Sequence, residues 1–408
     1  LDSRKSAVVT AVIRSAADFE YYLYHEDSLV EKGSPAWEKI LPLTRRQAAF
    51  PNSTPDSHNR VTLGDYFQAA GRFLKESAIP RIPHAFSRKP GETTRPANVR
   101  TVRICLKKHG EFYHPAKITL LGDRFSESFV LNVALSEAGN RILNREVQSI
   151  ERLQSLHPFS FVPRVYGTGS VSTKAGVFSM FLGEWFEGYH EFHLSSESKK
   201  DRVGVNVWDE THGAYLLSDR MTEALYRQIA HILTSYYDPI TFEEIRSWHH
   251  ASGDFVVKVE NGSLSIRLIS VRDYRAMLQP RPEEHETEAS VENILQVLLF
   301  FFLNLSYRIR MDRISGTGEW IWADGECVGP TVEGFFNALD EKDPVPILPA
   351  PLVDCFKAYL GSLTEKDVFE ILAALVGRRS QINEEAAFVL RHFDTHVGQL
   401  MAALKNRL

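Results

Sequence analysis

Cysteine is scarce in this chain: Cys105, Cys327 and Cys355 are the only three among 408 residues. They lie far apart and no two have the close spacing of a zinc or redox motif. That excludes a disulfide framework, and reduced thiols in a cytoplasmic setting are expected. Long apolar runs are missing too. The most apolar stretch, 294–305 (ILQVLLFFFLNL), is too short to cross a bilayer and is followed at once by Tyr307-Arg308-Ile309-Arg310, so a buried core helix is expected there. The opening residues Leu1-Asp2-Ser3-Arg4-Lys5 begin no apolar core of signal-peptide type. Nor is there an excess of positive charge. With 47 Lys and Arg against 52 Asp and Glu, the net charge is −5, which speaks against binding nucleic acid by phosphate neutralisation. The expectation is a soluble protein with neither membrane nor nucleic acid as partner.

What is present is an ordinary globular composition, 43% hydrophobic and 24% charged, on a chain long enough for two or three packed subdomains. Residues 1–98 read as a mainly helical extension and linker: Ala7-Val8-Val9, Val12-Ile13 and Phe19, Tyr22 and Leu23 recur near helical spacing, and 61–74 reads as a second helix. The prolines between 79 and 98 mark a linker. From Val99 the period changes to two. Strands are expected at 99–106, 116–121 and 129–135, a helix through Ile142, Val147, Ile150 and Leu153, then strands near 164–166 and 176–182. Beyond Glu184 the pattern is mostly helical, with a polar loop from Ser195 inside an insertion reaching Ser218. Helices are expected at 221–237, 290–313, 330–340, 352–361, 365–378 and 383–406. Asn261-Gly262 between alternating apolar runs predicts a hairpin. Thr364-Glu-Lys-Asp367 resembles a capping box, weakened by aspartate in place of glutamate.

Five strands with one helix after the third, then a helical region holding a hairpin, resemble the protein-kinase-like superfamily, which includes the aminoglycoside and choline phosphotransferases. The resemblance covers about residues 99–340. It implies an α+β fold of two lobes, a five-stranded N-lobe over 99–184 and a largely helical C-lobe over 185–345. Residues 346–408 would add C-terminal helices. Phe129–Leu135 followed by Leu143-Asn-Arg-Glu-Val147 is similar to the strand with the phosphate-binding lysine and the helix with its glutamate partner. Asn132 stands at the lysine position and Glu146 keeps the acid. An amide has no fixed charge to draw on phosphates; without its lysine, Glu146 is expected on a solvated helix face. The glycine-rich loop is lacking, since 107–115 (KKHGEFYHP) holds Gly110 alone and reads as a plain turn. Lys107, Lys108 or Lys117 could substitute as phosphate ligands, Lys117 on the second strand.

The segment 248–274 resembles the catalytic loop, hairpin and metal-binding aspartate motif, in two registers. In one, His249-His250-Ala251 and Ser270-Val271-Arg272 replace both functional aspartates. In the other, Asp254 is the catalytic base and Asp273 the metal ligand. The spacing is the same in both, although the strand pattern ends more naturally at Ser270. The metal-binding asparagine is absent in either case, replaced by Val256 or Val259. His249-His250 by itself reads as structural, because adjacent residues of a strand face opposite ways. Tyr189–His193 reads as a polar connector, and no Ser-His-Asp or Cys-His context is recognisable. Three functions are expected in this order. The first is a degenerate kinase-like protein binding a partner or small ligand between its lobes. The second is an active small-molecule phosphotransferase using Asp254 and Asp273 with ATP and Mg²⁺. The third is a helical scaffold.

Overall fold

The computed structural model describes residues 12–24, 28–42, 60–79, 98–157, 161–197, 202–248, 253–277, 290–314, 318–379 and 384–407. The chain is mixed α+β and divides into two compact units, Leu1–Pro158 with Pro163–Glu187, and Phe159–Val162 with Gly188–Leu408.

The first unit is built on strand β1 (Val12–Leu23), helix α1 (Leu63–Phe73), strands β2 (Asn98–Leu106), β3 (His114–Gly122) and β4 (Ser126–Ala134), helix α2 (Glu137–Leu156), and strands β5 (Val165–Thr173) and β6 (Gly176–Glu184). They form one six-stranded sheet in the order β1-β2-β3-β4-β6-β5. The expected 129–135 strand does pair with the strand before it, Ala116 lying opposite Leu131. The first element is a correction, because 12–23 is extended and not helical. Phe19, Tyr21 and Leu23 alternate onto the core, and an aromatic-rich run at that period fits a pleated surface better than a helix. β1 runs parallel to β2, so it requires a crossover, and α1 lies in the intervening chain. This gives six strands where five were expected. The expectations for Ala7-Val8-Val9 and for most of the proline-rich linker fall outside the described residues.

One face of the sheet, with Ile104, Ile118, Leu131, Val133 and Leu182, packs with Tyr66, Phe67 and Phe73 of α1 into the unit's main core. Helix α2 packs on the other face, where Leu143 and Val147 meet Ala134 and Phe181.

The second unit begins with strands β7 (Glu191–Glu197), β8 (Arg202–Trp208) and β9 (Tyr215–Leu216), a three-stranded sheet where a polar loop and insertion were expected. Phe192, Leu194, Val205 and Val207 are buried, and this short alternation was concealed by the run of charged residues between them in the sequence. Helix α3 (Asp219–Ser235) and strand β10 (Glu243–Arg246) follow. The hairpin β11 (Phe255–Glu260) and β12 (Ser263–Leu268) turns through Asn261 and Gly262, both at positive φ (52° and 74°), as a tight Asn-Gly hairpin requires. Strand β13 (Asp273–Ala276) pairs with β10. Helix α4 (Val291–Arg308) ends before strands β14 (Met311–Arg313) and β15 (Trp320–Trp322), so the expected 290–313 helix gives up its last residues to a strand pair. Helices α5 (Val328–Asp340), α6 (Leu352–Gly361), α7 (Glu365–Arg379), α8 (Glu384–Leu390) and α9 (Phe393–Lys405) complete the chain. The last two replace a single expected helix. The apolar run of α4 is core as expected: Phe302 meets Phe335 at 4.5 Å and Phe356 at 6.1 Å. Among the described residues, no helix is long and apolar enough to cross a membrane.

Candidate functional site

In the first unit the register decides which side chains share a face. Asn132 lies opposite Pro115 on one side and Phe181 on the other, and Lys117 lies opposite Val130 two residues away. Directly paired residues project to the same side of a sheet, so Lys117, Asn132 and Phe181 share the face that α2 covers. Asn132 is buried, and the Lys117 ammonium stands 5.5 Å from the Trp185 ring centroid. Glu146 corrects the expectation of a solvated acid. It is wholly buried, in the stripe Gly139, Leu143, Glu146, Val147, Ile150 and Leu153 that α2 turns inward. Thus one sheet face and its covering helix gather Lys117, Asn132 and Glu146.

The turn between β2 and β3 behaves as a turn. A side chain on Gly110 would meet the Tyr113 carbonyl at 2.3 Å, so the glycine serves the loop's own closure. Lys107 donates to the Tyr24 carbonyl at 3.1 Å, and the Tyr24 hydroxyl lies 2.8 Å from His109 Nε2. Burial, then the Lys39 charge, lower the His109 pKa.

In the second unit both candidate carboxylates carry arginines. Asp254 immediately precedes β11 and is fully buried. Arg272 grips it with two prongs, Nη1 to Oδ2 at 2.7 Å and Nη2 to Oδ1 at 2.5 Å. Asp273 opens β13 opposite Arg246, with Arg275 Nε 2.7 Å from its Oδ2. Ser270 is buried just past the end of β12, while His249, His250, Ala251 and Ser252 lie outside the described residues. The Mg²⁺ that the resemblance implies needs open carboxylate oxygens in near-octahedral geometry. Neither oxygen of Asp254 is open, Val256 and Val259 bring apolar side chains to β11, and Asp273 is engaged by Arg275. The residues do not fit the ion. Among the described residues no group of three or more His, Cys, Asp and Glu could hold a metal.

Two polar clusters escaped the sequence pattern, because their members come from distant elements. His193 Nδ1 lies 3.3 Å from the buried Asp312 carboxylate, which also accepts the Leu194 N–H at 2.8 Å and ties β7 to β14. His193, expected in a connector, is therefore a core strand residue. His396 of α9 lies 3.1 Å from Ser306 Oγ through Nε2 and 3.1 Å from Arg310 Nη1 through Nδ1. A guanidinium can only donate, so Nδ1 accepts and Nε2–H donates to Ser306. The Ser306 hydroxyl in turn donates a hydrogen bond to the Leu303 carbonyl at 2.8 Å. This direction is the reverse of a nucleophile activated by a base. Burial first, and Arg310 second, lower the His396 pKa to about 3. The cluster is a structural tie.

In comparison with known proteins, no family model matches the chain. No curated protein matches it significantly either.

Proposed function

We propose that this chain is a catalytically degenerate protein of kinase-like build that binds a small anionic ligand, or a partner presenting one, without transferring a phosphoryl group. The observation that carries this reading is the α2-covered face of the sheet. Lysine and asparagine, Lys117 and Asn132, project there, while the buried Glu146 comes in on the helix. The Lys117 ammonium, 5.5 Å from the Trp185 ring centroid, supplies the positive charge that an anionic ligand needs. The amide at Asn132 lacks the charge that phosphoryl transfer draws on. The chain order β2, β3, β4, α2, β5, β6 is the one on which the kinase-like reading rests, and β1 is added to it at the edge of the sheet. The reading as an active phosphotransferase would require Asp254 as base, and that carboxylate is already bound on both oxygens.

Thermal-shift titration of the full chain with ATP tests the proposal. The expected result is a rising melting temperature, worth about 1.4 kcal/mol at tenfold the Kd. The rise should shrink in Lys117→Ala and persist in Lys258→Ala, with no phosphate released or transferred. A flat melting temperature at millimolar ATP would remove the nucleotide reading and leave the scaffold.

A further inference from the structure

Two histidines meet at the root of the turn between β2 and β3. His109 Nδ1 lies 3.3 Å from His114 Nδ1, with the ring centroids 5.3 Å apart and the planes at 75°. The far nitrogen of His109, Nε2, is engaged with the Tyr24 hydroxyl. His114 is wholly buried at the start of β3, and its carbonyl accepts the Tyr66 hydroxyl at 3.0 Å. The Lys107 N–H closes the turn on the Pro115 carbonyl at 3.0 Å. The tip of the turn rests on α2. The Phe112 carbonyl stands 2.3 Å from where a side chain on Gly139 would begin, and Tyr113 packs on the cluster of Ala134, Leu143, Val147 and Phe181.

A contact between two like nitrogens fixes a proton count. An imidazole nitrogen either donates or accepts, so one Nδ1 carries a proton and the other is bare. The pair can take one extra proton on His109 Nε2, which then donates to Tyr24, and keep its bond. A further proton puts hydrogen on both Nδ1 atoms, and two imidazolium rings then face each other at hydrogen-bond distance. Like charges that close repel strongly away from water. The surroundings add to the repulsion, through Lys39 and through Lys107, whose ammonium is held on the Tyr24 carbonyl. Tyr24 and Tyr66 stay neutral, burial raising the pKa of both, and Cys105 of β2 stands near Tyr66. Lys108 and Glu111 of the turn, and Glu137 in the first turn of α2, are exposed to water.

We propose that His109 and His114 are a proton-operated latch on the β2–β3 turn. With one proton between them the turn is held against Tyr24 and α2. With both Nδ1 atoms protonated it is released, baring the edge of the α2-covered face where Tyr113 packs. Burial and Lys39 hold His109 below its ordinary value, so the opened turn takes up protons before the closed one as pH falls below about 6.5. Acid therefore favours opening, in the range where imidazole ordinarily titrates. The latch needs neither the kinase-like reading nor a ligand, and failure of ATP to bind leaves it standing.

Hydrogen exchange of the full-length protein at pH 7 and pH 5, corrected for the intrinsic rate at each pH, checks this. Peptides covering 106–115 and 136–141 are expected to lose protection about tenfold or more at pH 5, each excluded proton shifting the opening by about tenfold per pH unit. Strand β4 should keep its protection, which separates release of the turn from unfolding of the whole unit. His109→Gln keeps a polar side chain that takes up no proton, and should lose most of the pH dependence. Tyr24→Phe should retain it. Unchanged protection of the turn at pH 5 in wild type overturns the proposal, as does an equally strong pH dependence in His109→Gln. Should that variant not fold, imidazole ¹⁵N resonances of wild type decide. The pair should titrate in two separate steps. Independent titration of both rings at about 6.5 would sink the latch.

Discussion

At the scale of single residues, burial separates what the sequence showed from what it concealed. Glu146 was legible as a helical residue but not as a buried one. The apolar stripe of α2 is centred on Leu143, Val147, Ile150 and Leu153, and a glutamate one position before Val147 falls inside it. Taking Ile142 in place of Leu143 rotates the stripe by one residue and turns Glu146 outward. His396 could not be found at all, because its partners Ser306 and Arg310 lie on and just after another helix, some 90 residues away. Its consequence is a pH dependence. A histidine titrating near 6.5 when unfolded and near 3 when folded stabilises the native state above pH 6.5. As pH falls below 6.5 the unfolded chain takes up the proton first, and stability is lost progressively down to the folded value. The loss is at most about 1.4 kcal/mol per pH unit from this group. Urea midpoints should therefore fall between pH 7 and pH 5, and His396→Gln should flatten that slope. An unchanged slope in the variant would place the acid sensitivity elsewhere.

At the scale of elements, local signals were read correctly and distant pairings were not. The Asn-Gly hairpin, the apolar α4 and the β2–β4 meander are set by neighbours in sequence, and all are found. β1 was misread because its parallel partner begins some 75 residues later. Phe19, Tyr22 and Leu23 fit a helical period while Phe19, Tyr21 and Leu23 fit an extended one, so the arbiter was a long-range contact. The β7–β8 pair was missed for a different reason, each strand being short and interrupted by charge. Helix caps turned out stronger than expected. Thr364 and Asp367 form a reciprocal box, with Asp367 Oδ2 accepting the Thr364 N–H at 2.8 Å and Thr364 Oγ1 accepting the Asp367 N–H at 3.2 Å. Thr62 and Asp65 repeat it at the start of α1. Aspartate is thus long enough to reach back to the cap. Because α1 is buried along much of its length, its start cannot fray without disturbing the core. Thr62→Ala should cost about 1 kcal/mol in chemical denaturation. Thr62→Ser, which keeps the hydroxyl, should recover most of it.

At the scale of the whole molecule, two units with separate cores raise the question of which region a given measurement reports. The cysteines, too few to build anything, answer it. Cys105 sits in β2 of the first unit at 2% exposure, and Cys327 precedes α5 in the second at 4%. Burial pushes the Cys327 thiol up to about 12, so it carries almost no reactive thiolate near neutral pH. Cys355 of α6 is partly exposed, its sulfur 3.5 Å from the Ala350 carbonyl. Alkylation resolved by mass spectrometry should therefore label Cys355 in native buffer, and Cys105 and Cys327 only once their units open. Removing a ring from the second core sharpens the test. Phe302 contacts Phe335 and Phe356, and Phe302→Ala should cost about 3–5 kcal/mol. That variant should bring Cys327 into reach at a lower urea concentration than wild type. Rapid labelling of Cys105 or Cys327 in native wild-type protein would contradict the burial on which both cores are built.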